Sequence, residues 1–277
     1  MAPAAACLIG WPAAHSRSPI IHKYWLNTLG IAGDYRIEAV PPEAFAAFIA
    51  DLTARGYVGA NVTIPHKEQA LALASADPRA QAVGAANTLW FESGRLRATN
   101  TDVEGFVDNL DESAPGWDRD QGEALVLGAG GSSRAVIFGL LERGFARIHL
   151  INRTRERADG LARHFGSRVQ PAEWSAIGSI LPKTKLLVNT TPLGMAGQPP
   201  LELQLERLAD DAVVADLVYG RDGFTPMLVA ARSRGLRTAD GLGMLLHQAV
   251  RGFSLWFGRR PDVTAELRAL VEADLAK

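Results

Sequence analysis

The chemistry open to this chain begins with one lysine and one aspartate. Lys67 ends the stretch NVTIPHK, in which Pro65 stops a strand-like run, so the lysine follows the carboxyl end of a predicted strand. Ligands of α/β sheets usually bind at that end. Asn87, in GAANT, and Asp102, in NTD, belong to the ends of a neighbouring predicted hairpin. A carboxylate beside Lys67 would form a pair able to transfer a proton; alternatively, Lys67 is an ordinary solvated charge.

Polar side chains in two nearby segments could face the same site. Ser16 and Ser18, in HSRSP, are two residues apart and share a side if the backbone is extended. Ser18 precedes a proline and could instead cap a helix, which would leave Ser16 unexplained. Asn61 and Thr63 share one face of the predicted strand, and we expect both to point away from the core.

A glycine-rich turn indicates a dinucleotide site. The segment GAGGSSR follows the apolar strand ALVL and opens a helix, whose first N–H groups can hold a pyrophosphate. Gly128 and Gly130 fill the first two positions of the G-x-G-x-x-G fingerprint, whereas Ser133 at the third loosens the match. The predicted cofactor contacts in this turn are Gly128, Ala129, Gly130, Gly131 and Ser132. The alternative is a tight turn that binds nothing.

The end of the next predicted strand favours NADP over NAD. NAD-binding units usually place an acidic residue there to bind ribose hydroxyls, whereas this chain has NRTRER. Guanidinium groups pair strongly with phosphate, so we expect Asn152, Arg153, Thr154 and Arg157 to lie at the 2′-phosphate. Arg157 could instead belong to the solvated first turn of a helix.

The composition is that of a soluble globular protein. The 277 residues are 47% hydrophobic, enough for two domains with their own cores. Lys plus Arg number 29 and Asp plus Glu number 30, without charged blocks, which favours neither a nucleic-acid nor a membrane partner. The start of the chain lacks a basic leader, and the single Cys7 lies in an apolar run, so we expect a cytoplasmic protein.

Alternating strand-like and helical runs up to about residue 100 predict an α/β domain with a mostly parallel sheet. Residues 87–100 break this rhythm and predict a hairpin that turns at Ser93-Gly94.

The remainder of the chain predicts a second α/β domain and a helical return. Residues 111–122 are polar and predict a surface connection. A βαβ unit follows, and KLLVNTT and AVVADLVY predict further strands. From Gly241 apolar residues recur at helical spacing, and Pro261 is expected to start a final helix.

Eight motifs give the chain a family resemblance. They are HSRSPIIH, NVTIPHK, GAANT, NTD, GAGGSSR, NRT, NTTPLGM and DGLGMLLHQA. Their order and approximate spacing resemble those of shikimate dehydrogenases over essentially the whole chain. The resemblance implies NADPH-dependent reduction of 3-dehydroshikimate to shikimate. It also implies a discontinuous substrate-binding domain, residues 1–104 and 240–277, a Rossmann-like NADP-binding domain, residues 105–239, and an active site in the cleft between them.

The resemblance also implies roles for single residues. Lys67 with Asp102 resembles the catalytic pair, and Ser16 and Ser18 look like binders of the substrate carboxylate. The other implied substrate residues are Thr63, Asn87, Tyr219 and Gln248, and the other implied cofactor residues are Thr190, Gly241 and Met244. The spacing of Gly241, Met244 and Gln248 puts them on one face of a helix, which agrees with these roles. Without the resemblance, Met244 would be interpreted as a core residue and Gln248 as a surface residue.

Two other functions stay open at this point. One is a paralogue that oxidises quinate as well as shikimate, often with NAD, and accommodates one more substrate hydroxyl. A nucleotide-binding regulator without turnover would use Lys67 and Asp102 only as an ion pair. We expect a small-molecule substrate, no metal, and a monomer or homodimer.

Overall fold

The secondary structure is described for residues 3–14, 16–195, 197–219 and 224–277 in a computed structural model of the chain. The strands are β1 (Ala4–Gly10), β2 (Gly33–Ala39), β3 (Tyr57–Val62), β4 (Ser75–Ala76), β5 (Thr88–Glu92), β6 (Arg95–Thr99), β7 (Glu123–Leu127), β8 (Arg147–Ile151), β9 (Val169–Ala172), β10 (Thr184–Asn189), β11 (Val213–Asp216) and β12 (Arg237–Ala239). The α-helices are α1 (Ser18–Thr28), α2 (Phe45–Ala50), α3 (Lys67–Leu73), α4 (Pro78–Val83), α5 (Asp102–Ser113), α6 (Gly131–Glu142), α7 (Arg155–Phe165), α8 (Ile177–Ile180), α9 (Pro226–Ser233), α10 (Gly241–Phe257) and α11 (Ala265–Leu275).

The chain forms two compact units, one of residues 1–104 and 245–271 and the other of residues 105–244 and 272–277. We call them the first and the second unit. None of the helices formed by the described residues is both long and apolar enough to cross a membrane.

The first unit contains a mixed sheet of strand order β2-β1-β3-β5-β6-β4. Strands β2, β1 and β3 pair in parallel, whereas β5 is antiparallel to both β3 and β6. Ser93 and Gly94 join β5 to β6 with positive φ at both positions, as a type I′ hairpin turn requires. The predicted α/β class and the predicted hairpin are confirmed.

Both faces of this sheet are buried. Alternate residues of β1 enter two different cores, which is why its sequence AAACLIG is continuously apolar. One core includes Cys7, Ile9, Val62, Phe45 and Phe48. The other includes Leu8, Tyr35, Trp90 and Trp256.

This two-sided burial corrects the expectation for Asn61. The residue is 4% exposed, and its neighbours Ala60 and Val62 point into the opposite core. Tyr35 Oη donates a hydrogen bond to Asn61 Oδ1 at 2.6 Å. Asn61 therefore does not point away from the core; it is a buried polar residue with partners.

The second unit contains a parallel sheet of strand order β12-β11-β10-β7-β8-β9. From β7 the chain proceeds outward to β8 and β9, then returns to β10 on the other side of β7. Nucleotides bind where the strand order reverses in this way. The turn GAGGSSR leaves β7 at this point.

Two predicted boundaries are wrong. Residues 111–122 are not only a surface connection, because α5 continues to Ser113 and Trp117 is buried against Phe145. Trp117 Nε1 donates to Asp111 Oδ1 at 2.8 Å, so an aromatic side chain in a polar segment completes the core. The last helix begins at Ala265 rather than at Pro261, and Thr264 Oγ1 accepts the Leu267 N–H in its first turn.

Buried His22 generates a prediction about acid stability. Its imidazole stacks on Tyr35 with 4.0 Å between ring centroids, and burial lowers its pKa from 6.5 to about 3. In the unfolded chain His22 is therefore protonated below about pH 6.5, whereas in the folded chain it stays neutral down to about pH 3. The stability that this residue contributes is complete above pH 6.5 and is lost as the pH falls towards 3.

We expect His22→Phe, which keeps a ring at this position, to remove that pH dependence. Urea unfolding of both proteins at several pH values measures it. The free energy of unfolding of the wild type relative to the variant should fall below pH 6.5, by at most about 1.4 kcal/mol per pH unit. A difference that does not change with pH would refute the prediction.

Candidate active site

A short ion pair brings Lys67 and Asp102 together. Lys67 is the first residue of α3 and Asp102 the first residue of α5, and these helices follow β3 and β6. Lys67 Nζ donates to Asp102 Oδ2 at 2.5 Å, and the two side chains are 15% and 10% exposed. Lys67 is thus not a solvated surface lysine, and Asp102 is the carboxylate that reaches it in space.

Asn87 holds the other oxygen of the carboxylate. The Thr101 N–H donates to Asn87 Oδ1 at 2.7 Å, and Asn87 Nδ2 donates to Asp102 Oδ1 at 2.8 Å. A backbone N–H can only donate, so the amide oxygen must face Thr101 and the amide NH₂ must face Asp102. Toward a ligand, this side chain can therefore offer only an N–H.

Main-chain contacts fix the two helix starts to the hairpin. The Ala86 N–H donates to Lys67 O at 2.9 Å. Asn100 Oδ1 accepts the Asp102 N–H at 3.1 Å, and Asn100 Nδ2 donates to Ala85 O at 2.9 Å. The segment before β5 and the segment after β6 are thereby held against α3.

The electrostatics of the pair suit proton transfer to an oxygen. A carboxylate is favourable at the N-terminus of α5, whereas a cation at the N-terminus of α3 is unfavourable, so Asp102 offsets the cost of placing Lys67 there. An ammonium carries three donors. One is directed at Asp102, and the others can serve a carbonyl oxygen that gains negative charge.

Ser16 and Ser18 lie together, although not on an extended segment. Arg17, between them, has helical backbone angles. Ser16 Oγ donates to Ser18 Oγ at 3.1 Å and accepts the Ser18 N–H at 3.2 Å. The hydroxyl that accepts a helix N–H is thus that of Ser16, while Ser18 is 4% exposed. His15, from the same motif, lies outside the described residues.

Thr63 lies just beyond β3 and is half-buried. Its N–H donates to Ile9 O at 2.9 Å, which continues the alignment with β1. A Cβ on Gly10 would lie 2.4 Å from Thr63 Cγ2, so only glycine leaves room for this methyl group. The end of β1 therefore determines where Thr63 sits.

Gln248 is buried on α10 rather than on the surface. It is 9% exposed, and its Nε2 donates to Leu245 O at 3.0 Å. One turn later, Arg251 donates to Glu104 Oε1 at 3.1 Å, and Arg79 donates to the same oxygen at 2.6 Å. Glu104 thus links the helix that carries Gln248 to the start of α5.

Gly241, Met244 and Tyr219 belong to the second unit. Gly241 begins α10, and a Cβ there would lie 2.2 Å from Leu217 O. Met244 is 8% exposed and belongs to the core of this unit, as the packing alternative predicts. Tyr219 is half-buried beyond the end of β11.

The glycine turn is fixed by a pair of hydroxyls. Gly128 has φ +104°, and a Cβ there would lie 2.4 Å from Thr190 Oγ1. Ser133 Oγ accepts the Gly130 N–H at 2.8 Å and lies 2.9 Å from Thr190 Oγ1, which donates to Leu127 O at 2.7 Å. Ser133 therefore does not loosen the fingerprint; it ties the turn to the ends of β7 and β10.

Asn152 connects this turn to the end of β8. Its Oδ1 accepts the Ala129 N–H at 3.1 Å, and its Nδ2 donates to Thr154 O at 2.7 Å. Arg153, Thr154 and Arg157 are exposed beside it. The helix α7 begins here, and cations at a helix N-terminus are unfavourable unless an anion accompanies them.

Among the arginines at the start of α7, Arg155 has acidic partners. Arg155 is directed along α7 and beyond it, because it donates to Asp159 at 2.9 Å and to Glu173 at 2.6 Å. Gly130 and Gly131 are exposed at the start of α6, with open space beside Gly130. The turn, the helix start and the exposed Arg153 therefore fit a phosphorylated dinucleotide.

The sequence does not reveal the buried residues whose hydrogen bonds hold the site residues in place. Thr88 and Thr101 lie inside the motifs GAANT and NTD, but nothing in those motifs predicts that their hydroxyls are buried. Tyr35 and Glu104 carry no local signal, since each becomes informative only through a partner distant in sequence.

Three family models cover most of the chain. "Shikimate dehydrogenase substrate binding domain" matches residues 8–89, "Shikimate / quinate 5-dehydrogenase" matches residues 112–194, and "Shikimate 5'-dehydrogenase C-terminal domain" matches residues 241–271.

Relatives and solved structures agree with these matches. The "Shikimate dehydrogenase (NADP(+))" of Nitrobacter hamburgensis is 69% identical over 98% of this chain and 94% of its own length. The Thermus thermophilus shikimate 5-dehydrogenase in complex with shikimate is 36% identical, with TM-score 0.84 over 99% of this chain and 100% of that one. The Corynebacterium glutamicum quinate dehydrogenase in complex with NAD is 29% identical, with TM-score 0.89 over 98% and 99% of the two chains.

Proposed function

The chain belongs to the shikimate dehydrogenase family, and we propose that it catalyses the reversible, NADPH-dependent reduction of 3-dehydroshikimate to shikimate in aromatic amino-acid biosynthesis. One observation carries the proposal. The NVTIPHK lysine and the NTD aspartate form a 2.5 Å ion pair at the starts of two helices, with the GAANT asparagine on the other carboxylate oxygen.

We assign substrate binding to polar residues of the motifs that resemble those of the family. Asn87 offers an N–H to a ring oxygen, and Thr63 offers a hydroxyl at the end of β3. Ser16 and Ser18 have oxygens 3.1 Å apart, and both can donate to one carboxylate once the Ser16 hydroxyl turns from Ser18 to the ligand. Gln248 and Tyr219 complete the proposed substrate set.

We assign the cofactor to the second unit. When bound, NADPH supplies the hydride. The glycine turn would hold the pyrophosphate, and Asn152, Arg153, Thr154 and Arg157 would hold the adenosine end. The remaining assigned cofactor residues are Ala129, Gly131, Ser132, Thr190, Gly241 and Met244.

Lys67 and Asp102 then manage the proton. In the reductive direction the ammonium stabilises the developing alkoxide and delivers a proton to it, and Asp102 stabilises the lysine in its charged form before transfer. In the oxidative direction the neutral Lys67 amine accepts the hydroxyl proton and Asp102 stabilises the ammonium that forms, as microscopic reversibility requires.

We also propose a cytoplasmic enzyme that acts as a monomer or homodimer on small molecules, without a nucleic-acid or membrane partner. The near balance of 29 basic and 30 acidic residues supports the absence of a nucleic-acid partner. Cys7 is buried, and this burial raises the pKa of its thiol well above the usual value, which supports a protein without disulfides.

Replacing the lysine tests the reaction itself. Lys67→Ala should leave shikimate binding nearly intact and lower kcat by about 10²–10⁴-fold, because it removes the proton donor and not the binding hydroxyls. Steady-state NADPH absorbance with shikimate plus NADP measures turnover, and calorimetry measures binding.

The exposed Lys23, paired at 3.5 Å with Asp34, offers a matched control, and Lys23→Ala should retain wild-type turnover. Unchanged turnover in Lys67→Ala would overturn the assignment. A wild type that oxidises quinate with NAD as well as shikimate would favour the paralogue, and no turnover on either substrate would favour the regulator.

Replacing the phosphate clamp tests the cofactor. Arg153→Ala should weaken NADPH binding by about 10–100-fold and leave NADH binding nearly unchanged, since only NADPH carries the 2′-phosphate. Fluorescence titration with both cofactors measures this. Arg155→Ala should change neither affinity, because Arg155 is engaged with Asp159 and Glu173; equal losses for both cofactors in Arg153→Ala would remove the clamp argument.

A further inference from the structure

We propose that Thr88 is a positioning residue for the catalytic pair, one that holds the Asn87 amide and through it the Asp102 carboxylate. This inference rests on the proposed function of Lys67 and Asp102. Thr88 is the first residue of β5 and is completely buried, so it acts on the pair only through its neighbours.

The Thr88 hydroxyl lies at the centre of a buried polar cluster. Its oxygen is 3.1 Å from Asn61 Nδ2, which donates to it, and 3.1 Å from Asn87 Oδ1. Thr101 Oγ1 lies at the same distance of 3.1 Å. A hydroxyl has one proton, so it can accept from Asn61 and at the same time donate to Asn87.

The donors of the cluster all point the same way. Tyr35 Oη donates to Asn61 Oδ1 at 2.6 Å, which fixes the Asn61 amide so that its NH₂ faces Thr88. Thr88 donates to Asn87, and Asn87 donates to Asp102 Oδ1. Each bond strengthens the donor of the next, so the row from Tyr35 to Asp102 ends on one carboxylate oxygen and leaves the other for Lys67.

Without the Thr88 hydroxyl the row is interrupted at its middle. Asn87 Oδ1 keeps the Thr101 N–H at 2.7 Å and the Thr101 hydroxyl at 3.2 Å, so the amide keeps its orientation, but it loses one of its two hydroxyl donors and is held less rigidly. A displacement of the reacting groups by a fraction of an ångström lowers the chemical rate more than it lowers binding. The expected signature is therefore a change in kcat with little change in affinity.

The hairpin contains a matched control for this idea. Thr99 lies directly opposite Thr88 in the pairing of β5 with β6 and is also completely buried. Within the described part of the chain, the Thr99 hydroxyl has no hydrogen-bond partner. Thr88→Val and Thr99→Val thus each remove a buried hydroxyl, from positions that face each other in the hairpin. Only the Thr88 hydroxyl belongs to the row of hydrogen bonds from Tyr35 to Asp102.

The test compares Thr88→Val, Thr88→Ser and Thr99→Val with the wild type. We expect Thr88→Val to lower kcat for shikimate oxidation by about 10–100-fold, with the Kd for shikimate changed less than about threefold. Thr88→Ser should restore most of the kcat because it restores the hydroxyl, and Thr99→Val should match the wild type. The Kd for NADPH should stay constant throughout, since its proposed site is in the second unit.

Each contrary result has one meaning. If the wild type is active, three results overturn the positioning role alone. They are an unchanged kcat in Thr88→Val, an equal loss of kcat in Thr99→Val, and a Thr88→Ser variant as impaired as Thr88→Val. A wild type without turnover overturns the proposed function and this inference with it. If Thr88→Val does not fold, Tyr35→Phe removes the first donor of the row, and an unchanged kcat in that variant overturns the inference.

Discussion

The contact between Lys67 and Asp102 is the interaction on which the arrangement of the first unit depends. Its side chains are 15% and 10% exposed, so both charges have lost most of their water. Desolvation of an ion pair costs more than the pair regains unless hydrogen bonds satisfy the remaining polar atoms. The Asn87 amide supplies such a bond to Asp102 Oδ1, and backbone hydrogen bonds of Lys67 and Asp102 hold the two helix starts in place.

This requirement explains polar residues in a sheet that is otherwise apolar. Because helices cover both faces of the first sheet, the buried polar side chains at its centre are out of reach of solvent and depend on partners within the protein. Tyr35, Asn61, Thr88 and Asn87 do so in one connected row. In the second unit, Ser133 and Thr190 serve a similar purpose, since they hold a backbone turn against the strands.

Site residues can be predicted from the sequence where a local conformational requirement restricts the residue type. They cannot be predicted where their role depends on contacts with distant segments. Gly128 and the Ser93-Gly94 turn were predictable because positive φ restricts which residues can stand there. Lys67 and Asp102 could be paired because both follow predicted strands. The burial of Asn61 was mispredicted, because alternation along one strand does not reveal that helices cover its second face. Trp117 and Glu104 were not predicted at all, since their partners come from distant segments.

We propose that Lys67 and Asp102 act as one unit in proton transfer. A double-mutant cycle on kcat with Lys67→Ala, Asp102→Asn and the combined variant tests it most directly, with shikimate and NADP saturating. If the pair acts as a unit, the combined variant should be about as active as the more impaired single variant, because the second change removes nothing further. Effects that multiply across the two positions would contradict this coupling, since they would mean that each residue contributes independently.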